Sequence, residues 1–432
     1  MKTLMLGWEF PPFISGGLGT ACYGLTKAMD QLGINIVFVL PKGFTGGYTS
    51  HVKMLSTQGS VVTEKAARFK NVSFRIVASS LKPYAAAGIY ERRPKHIQSC
   101  PDEKNSYVRS WHSDCTECVG NYGGNIYEEI EQYAERVTEI ATLEDFDIVH
   151  AHDWMTYRAG ASVAKQRHKP LIVHVHSTEF DRSGEHVNQI VYDIEREGMH
   201  AAVKTIAVSH YTKNIILSHY GLTPEKVEVV YNGIEPNGSS PGVELLDKTD
   251  RTVLFLGRIT MQKGPEYFLA AAKKVLEKVT NVKFVMAGDG DMLHQSIELA
   301  AQMGIGHKVL FTRFLRGSEV DRAYRMADLY VMPSVSEPFG IAPLEALNHS
   351  VPVLISKQSG VAEVLQHALK ADFWDINQMA NMIIAVLRYA PLRTTLSQNG
   401  KVETHKLRWE NAATRVKEIY SQVIATLAQV PF

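Results

Sequence analysis

Two short stretches in the C-terminal half carry opposite charges where a nucleotide-linked group needs them. The first, Arg258-Ile-Thr-Met-Gln-Lys263-Gly264, follows a strand-like run over 252–257. It sets two cations five positions apart on a loop at a strand's carboxyl end. The second is Met332-Pro-Ser-Val-Ser-Glu337-Pro338-Phe339-Gly340-Ile-Ala-Pro-Leu-Glu345-Ala346. It sets one carboxylate just before a helix start and another about two turns into that helix. Fixed cations and a helix N-terminus hold a departing diphosphate. Carboxylates accept hydrogen bonds from sugar and ribose hydroxyls. Without context, Arg258 and Lys263 would read as a solvated pair. The context is Leu-Gly before them and Gly-Pro-Glu with an apolar helix after them.

Other motifs are weaker alone. Gly16-Gly17-Leu18-Gly19 lies between a strand and a helix, where glycines bring N–H groups close to an anion. The same cluster reads equally well as a tight turn with no ligand. His150-Ala-His152-Asp153-Trp154 closes a strand and opens a helix, the end of a sheet where sites gather. Asp153 suits an N-cap there; the bland reading is a cap beside a core histidine. Leu171-Ile-Val-His174-Val-His176 repeats the arrangement. His176 at the strand end reads as functional, and the deeper His174 as structural. A zinc site at His150 and His152 is set aside, because neighbouring strand positions alternate sides and no third ligand is evident. Asp289-Gly-Asp291 has the form of a metal site but sits in a glycine turn, where the acids read as the start of a helix. Cys100, His112, Cys115 and Cys118 offer four zinc ligands, yet half of a familiar zinc pattern is missing. Free thiols on a lid loop are the better reading, and no metal or cofactor is expected.

These motifs need a scaffold. Residues 2–7 read as a buried strand, and 34–40 as a second. Between them Ala21, Cys22, Leu25, Ala28, Met29 and Leu32 recur at helical spacing, with Gly33 at the C′ position. That βαβ opening implies a parallel sheet. Strands are expected over 72–78, 147–151, 171–176, 205–208 and 227–231; Ile126, Ile130, Tyr133, Val137 and Ile140 share one helix face. A Pro/Gly/Ser-rich linker follows. A second alternating series has strands near 253–256, 282–287, 309–312, 329–332 and 351–355. The expectation is α/β: two doubly wound Rossmann-like domains facing a cleft. They span 1–233, with an insertion at about 95–124 lying over the cleft, and 251–405, joined by a linker at 234–250. Residues 406–432 should form a helix crossing back to the first domain. Its stripe is Trp409, Ala412, Ala413, Val416, Ile419, Tyr420, Val423 and Leu427.

Composition narrows the class. The chain has 432 residues, 45% of them hydrophobic, with 46 basic and 45 acidic side chains and a net charge of +1. Nothing draws it to nucleic acid or an anionic membrane. The first residues do not form a signal peptide, since the apolar run is short and ends at Glu9. No stretch approaches the roughly 18 apolar residues of a membrane span. Four cysteines in so long a chain fit a reducing cytoplasm.

The ordered set resembles the retaining nucleotide-sugar glycosyltransferases of the GT-B fold, above all the glycogen/starch synthases and their "group 1" relatives. The matching pieces are Trp8-Glu9-Phe-Pro-Pro…Gly16-Gly17-Leu18, His150-Ala-His-Asp153-Trp, Val175-His176, Tyr231-Asn232-Gly233, Leu256-Gly257-Arg258…Lys263-Gly264, Gly288-Asp-Gly and Glu337-Pro338-Phe-Gly340…Glu345-Ala. They span nearly the whole chain in order. The resemblance implies that the loop at Gly16 and Gly17 faces the diphosphate and sugar, and that Asp153 and His176 surround the sugar and acceptor. It implies that Arg258 and Lys263 hold the diphosphate, Glu337 the sugar and Glu345 the ribose. Gly257, Phe339 and Gly340 complete the donor side, and Glu9, Trp154 and Tyr122 are candidate acceptor contacts. The donor is then ADP- or UDP-glucose, and the acceptor a glucan or oligosaccharide. The cysteine-bearing insertion departs from the family pattern, and the first domain is shorter than in the long bacterial synthases. Three alternatives stay open: a small-sugar or glycolipid acceptor, a sugar-nucleotide epimerase on the same fold, and a silent sugar-binding protein. The last is disfavoured because every expected site residue is present. The sequence leaves the oligomeric state open.

Overall fold

The computed structural model describes residues 1–11, 16–41, 54–56, 70–76, 126–235 and 250–428. The insertion with Cys100, His112, Cys115, Cys118 and Tyr122, and linker residues 236–249, lie outside the described residues.

Apolar runs become buried parallel strands because both faces of such a sheet are covered by helices. The first sheet runs in the order β3-β4-β2-β1-β5-β6-β7-β8. Its strands are β1 (Lys2–Leu6), β2 (Asn35–Leu40), β3 (Met54–Ser56), β4 (Val72–Ile76), β5 (Ile148–His152), β6 (Leu171–Val175), β7 (Lys204–Ala207) and β8 (Val227–Val229). The second runs β11-β10-β9-β12-β13-β14. Its strands are β9 (Arg251–Leu256), β10 (Val282–Ala287), β11 (Val309–Arg313), β12 (Leu329–Met332), β13 (Val353–Ser356) and β14 (Leu369–Ala371). Every pairing in both sheets is parallel. The expected two doubly wound α/β units are therefore present. β3 and β14, three residues each, are strands that the sequence reading lacked.

Strand order locates the sites. In the first sheet the order reverses between β1 and β5, in the second between β9 and β12. Ligands of open α/β sheets bind outside the carboxyl ends of strands at such reversals. Glu9 follows β1 and Asp153 follows β5; Arg258 follows β9 and Glu337 follows β12.

The last helix, Trp409–Ala428, crosses back. Trp409, Ala412, Ala413, Val416, Ile419, Tyr420 and Val423 join the core of the first sheet rather than the second. Each large apolar side chain so buried contributes about 1.5–3 kcal/mol. The helix lies on Gly17–Gln31, and Gly24 makes room for the Trp409 indole, 2.2 Å from where a Cβ would stand. Leu427 departs from expectation: it is 41% exposed, beyond the reach of that core. At the crossing, the Ile234 N–H donates to the Leu407 carbonyl at 2.9 Å, so outgoing and returning chain run side by side.

Candidate active site

On the second sheet, β9 ends at Leu256 and the chain turns through Gly257 and Arg258 into a short 3-10 turn, Met261–Lys263. Gly257 and Gly288 pass so closely that a Cβ on Gly288 would stand 1.8 Å from the Gly257 carbonyl oxygen. Both cations lie on the loop that the sequence implies, and each is half-buried there rather than solvated. The Lys263 ammonium makes an ion pair with the Glu337 carboxylate, whose side chains are 21% and 9% exposed. Ser334 Oγ donates to the same carboxylate oxygen at 3.2 Å. A burial cost for two charges is offset here by direct pairing and an added hydrogen bond.

Glu337 itself is fixed by its backbone. Its N–H donates to the Gln358 carbonyl, and its carbonyl accepts from Gly360 N–H, both at 2.9 Å. Gly340 then takes φ 102°, which side chains rarely adopt, and opens the helix Ile341–Asn348. Phe339 is buried beside it. Glu345 is the fifth residue of that helix, so it stands about one turn in rather than two. Tyr324 Oη donates to the Glu345 carboxylate at 2.8 Å, and burial pushes that carboxyl above its ordinary range. Tyr324 carried no sequence signal, because its partner is set by the fold.

On the first sheet, Asp153 occupies the N-cap position of Trp154–Arg167 but does not cap with its side chain. Its backbone is held at φ 58° and ψ 166°, a strained conformation for a non-glycine residue. Its Oδ1 instead accepts from the His176 N–H at 2.7 Å and the Ser177 N–H at 3.4 Å. Burial pushes the Asp153 carboxyl up to about 7, against those two amides and the Arg182 charge, which pull it down. His176 is half-buried, with Nε2 2.9 Å from His152 Nδ1.

His150, His152, His174 and His176 form one stacked ladder, with ring centroids 4.3–5.3 Å apart. This corrects the expectation that His150 and His152 face opposite sides. Positions two apart share a face, and the parallel register sets β6 beside β5. The third donor thought missing is also present. One ring nitrogen from each of His150, His152 and His174 lies within 4.8 Å of the others, as do donors of Cys22, His152 and His176. Within the first trio the ring planes lie within 15–28° of one another. In-plane lone pairs of stacked rings run side by side rather than converging on one ion, which disfavours a tetrahedral site. Burial pushes the His150 and His176 imidazoles down to about 3 and lowers the other two as well. Tyr420 on the crossing helix hydrogen-bonds His150 Nδ1.

The remaining expected residues fare differently. The Glu9 carboxylate is buried and accepts from the Gly19 N–H at 3.1 Å, so it sits where an anion at that helix N-terminus would. Gly17 is exposed and faces open space, and Gly16 precedes the helix in an extended conformation. Trp154 is only 8% exposed and belongs to the first core, which leaves an acceptor little of it to touch. Asp289 Oδ1 accepts from the Gly290 N–H at 2.8 Å, ahead of the helix Leu293–Gln302. Among the described residues, no helix is long and apolar enough to cross a membrane.

Residues 239–403 match the family model "Glycosyl transferases group 1", and residues 124–237 match "Glycosyltransferase Family 4". The chain is 28% identical to the uncharacterised glycosyltransferase MJ1607 of Methanocaldococcus jannaschii, covering 97% of this chain and 98% of that one. It is 22% identical to a glycogen synthase of Mycobacterium tuberculosis, over 97% and 94% of the two chains. Its fold superposes on Anabaena Alr3699/HepE, solved in complex with UDP and glucose. That match has a TM-score of 0.69 and 16% identity, covering 98% of this chain and all of that one. The two adjoining family matches fall on the two parallel-sheet α/β units described above, and that architecture is the GT-B fold of solved glycosyltransferases.

Proposed function

We propose that this chain is a retaining hexosyltransferase that moves glucose from a nucleotide-diphosphate sugar to the growing end of an α-glucan. The observation that carries the reading is the Lys263–Glu337 pair, seated with Arg258 at the strand-order reversal of the second sheet. A diphosphate entering there takes Lys263 from Glu337 and releases that carboxylate to accept from sugar hydroxyls. Arg258 and Lys263 then stabilise charge as the diphosphate leaves. Glu345, oriented by Tyr324, accepts from the ribose. Two similarities support the donor and acceptor classes: HepE was solved with UDP and glucose, and one relative is named a glycogen synthase.

Retention follows from a front-face path. The Asp153 carboxylate is bound by two backbone amides, a poor state for a nucleophile. The leaving diphosphate then takes the proton of the incoming hydroxyl, and catalysis is positioning plus charge stabilisation. One observation favours a second reading, a small-sugar acceptor. Trp154 and Glu9, the expected acceptor contacts among the described residues, are largely buried.

The test is a donor screen that follows nucleoside diphosphate release from UDP- and ADP-glucose, with and without glycogen or free sugars. Release stimulated by glycogen supports the first reading. Release stimulated only by a small sugar supports the second, and no release from any donor contradicts both.

A further inference from the structure

Glu337 is flanked on both sides by side chains from the other sheet's half of the molecule. On one side, Ser336 Oγ donates to Asp181 Oδ1 at 2.5 Å and lies 3.0 Å from Tyr211 Oη. On the other, the Pro338 carbonyl accepts from Ser209 Oγ at 2.5 Å and from Thr212 Oγ1 at 3.2 Å. Hydroxyl accounting makes the set self-consistent, since each hydroxyl has one proton to give. Tyr211 gives its proton to Ser336, and Ser336 gives its own to Asp181. Ser209 gives its proton to Pro338 while accepting from the Thr212 N–H at 3.0 Å.

The donors and acceptors are themselves fixed. Asp181 is 2% exposed, and its other oxygen accepts from the Thr178 N–H and hydroxyl, both at 2.8 Å. Ser209 is the N-cap of the helix His210–Tyr220. Glu363, from the second sheet's half, accepts from the N–H groups of His210 and Tyr211 and from Tyr231 Oη. The seam is tight: a Cβ on Gly360 would meet the Pro338 oxygen at 2.3 Å and Ser209 Cβ at 2.5 Å.

We infer that Asp181, Tyr211 and Ser209 are positioning residues for Glu337, so that its carboxylate is fully placed only when the two halves of the molecule meet along this seam. The inference rests on the transferase reading given above. Its reason is geometric: the Gln358 and Gly360 bonds hold Glu337's own backbone, the seam bonds pin the residue on either side of it, and small misplacements at a reacting centre are costly.

The experiment uses the full chain. Ser336→Ala removes the link to Asp181 and Tyr211 while sparing the Asp181–Thr178 bonds. It should lower kcat by about 10–100-fold, the scale of a small positional error. Affinity for the nucleoside diphosphate alone, held by Arg258 and Lys263, should change much less than kcat, because the diphosphate draws Lys263 away from Glu337 and needs no placement of that carboxylate. Ser336→Thr, which keeps the hydroxyl, should restore most of the rate. In a Glu337→Gln background, Ser336→Ala should add less than about twofold, since the two act as a unit. Near-normal kcat in Ser336→Ala overturns the inference. So does a loss of the same size in both backgrounds, which marks a general structural effect. Amide hydrogen exchange over residues 334–340 provides a readout that needs no turnover. Faster exchange in Ser336→Ala supports the seam, and unchanged exchange overturns it. A wild-type chain with no transfer activity would defeat the functional reading, leaving the exchange result to judge the positioning.

Discussion

Lys263 and Glu337 stand 74 residues apart in sequence and meet as a half-buried ion pair at the carboxyl ends of β9 and β12. The pair keeps each charge compensated while the site is open. On the proposed function it also sets a cation for phosphate beside a carboxylate for sugar, the two things a nucleotide-sugar donor asks of its enzyme.

Chelation should leave turnover intact. On the proposed mechanism Arg258, Lys263 and the helix that begins at Ile341 supply the counter-charge for the leaving diphosphate, and Asp289 Oδ1 accepts from the Gly290 N–H of its own turn. Rates in excess chelator should match the untreated enzyme. Loss restored by magnesium or manganese would contradict this. Loss restored only by zinc would turn attention to Cys22, His152 and His176.

The fit of Trp409 over Gly24 should be sensitive to one added side chain. Gly24→Val sets carbon where the indole already is, 2.2 Å from the Cβ position. Overpacking of this kind costs about 1–3 kcal/mol. Thermal denaturation should show that loss, and Trp409→Ala in the same chain should recover part of it. A neutral Gly24→Val would mean that the crossing helix does not seat there. Truncation after Lys406 should impair activity and the first sheet's core more than the second's, since the stripe belongs to the first core.

The histidine ladder should make the protein acid-sensitive. Burial lowers all four imidazoles in the folded chain, while unfolded histidine titrates near 6.5. Below that value the unfolded state binds more protons, so stability is present at neutral pH and lost as pH falls from about 6.5 toward 3. Both His174 nitrogens are buried without a hydrogen-bond partner. His174→Leu should therefore raise stability by about 1–3 kcal/mol, the cost of such orphaned groups, with the larger gain at pH 5 than at pH 7.5. A wild-type melting temperature that is flat across that range, or a His174→Leu chain that is weaker at pH 5, would contradict the account.

What the sequence made legible was what local pattern controls. Apolar runs marked twelve of the fourteen strands; β3 and β14 escaped because Met-Leu-Ser and Leu-Lys-Ala carry no β-branched residue, whereas the equally short β8 sits in the apolar run Val227-Glu-Val-Val-Tyr231. Arg258, Lys263 and Glu337 were legible as motifs, but their meeting was not, because it depends on β9 and β12 becoming neighbours. The ladder was misread by one step of strand arithmetic, since alternation separates His150 from Ala151, not from His152. Leu427 fits the helical spacing of the crossing helix and still lies in solvent, where the first domain's core has ended. The Ser336–Asp181 bond spans 155 residues and two sheets, and nothing local announces it.

The most direct measurement is the initial rate of nucleoside diphosphate release from UDP- and ADP-glucose, comparing the wild-type chain with Arg258→Ala and Lys263→Ala. Loss of one charge-stabilising group at a departing diphosphate commonly costs about 10²–10³-fold. The account expects that loss in each variant, with Arg258→Ala melting within a few degrees of wild type and Lys263→Ala lower, because it leaves the buried Glu337 carboxylate without its cation. Near-normal release from either variant, or no release from the wild-type chain, would contradict it.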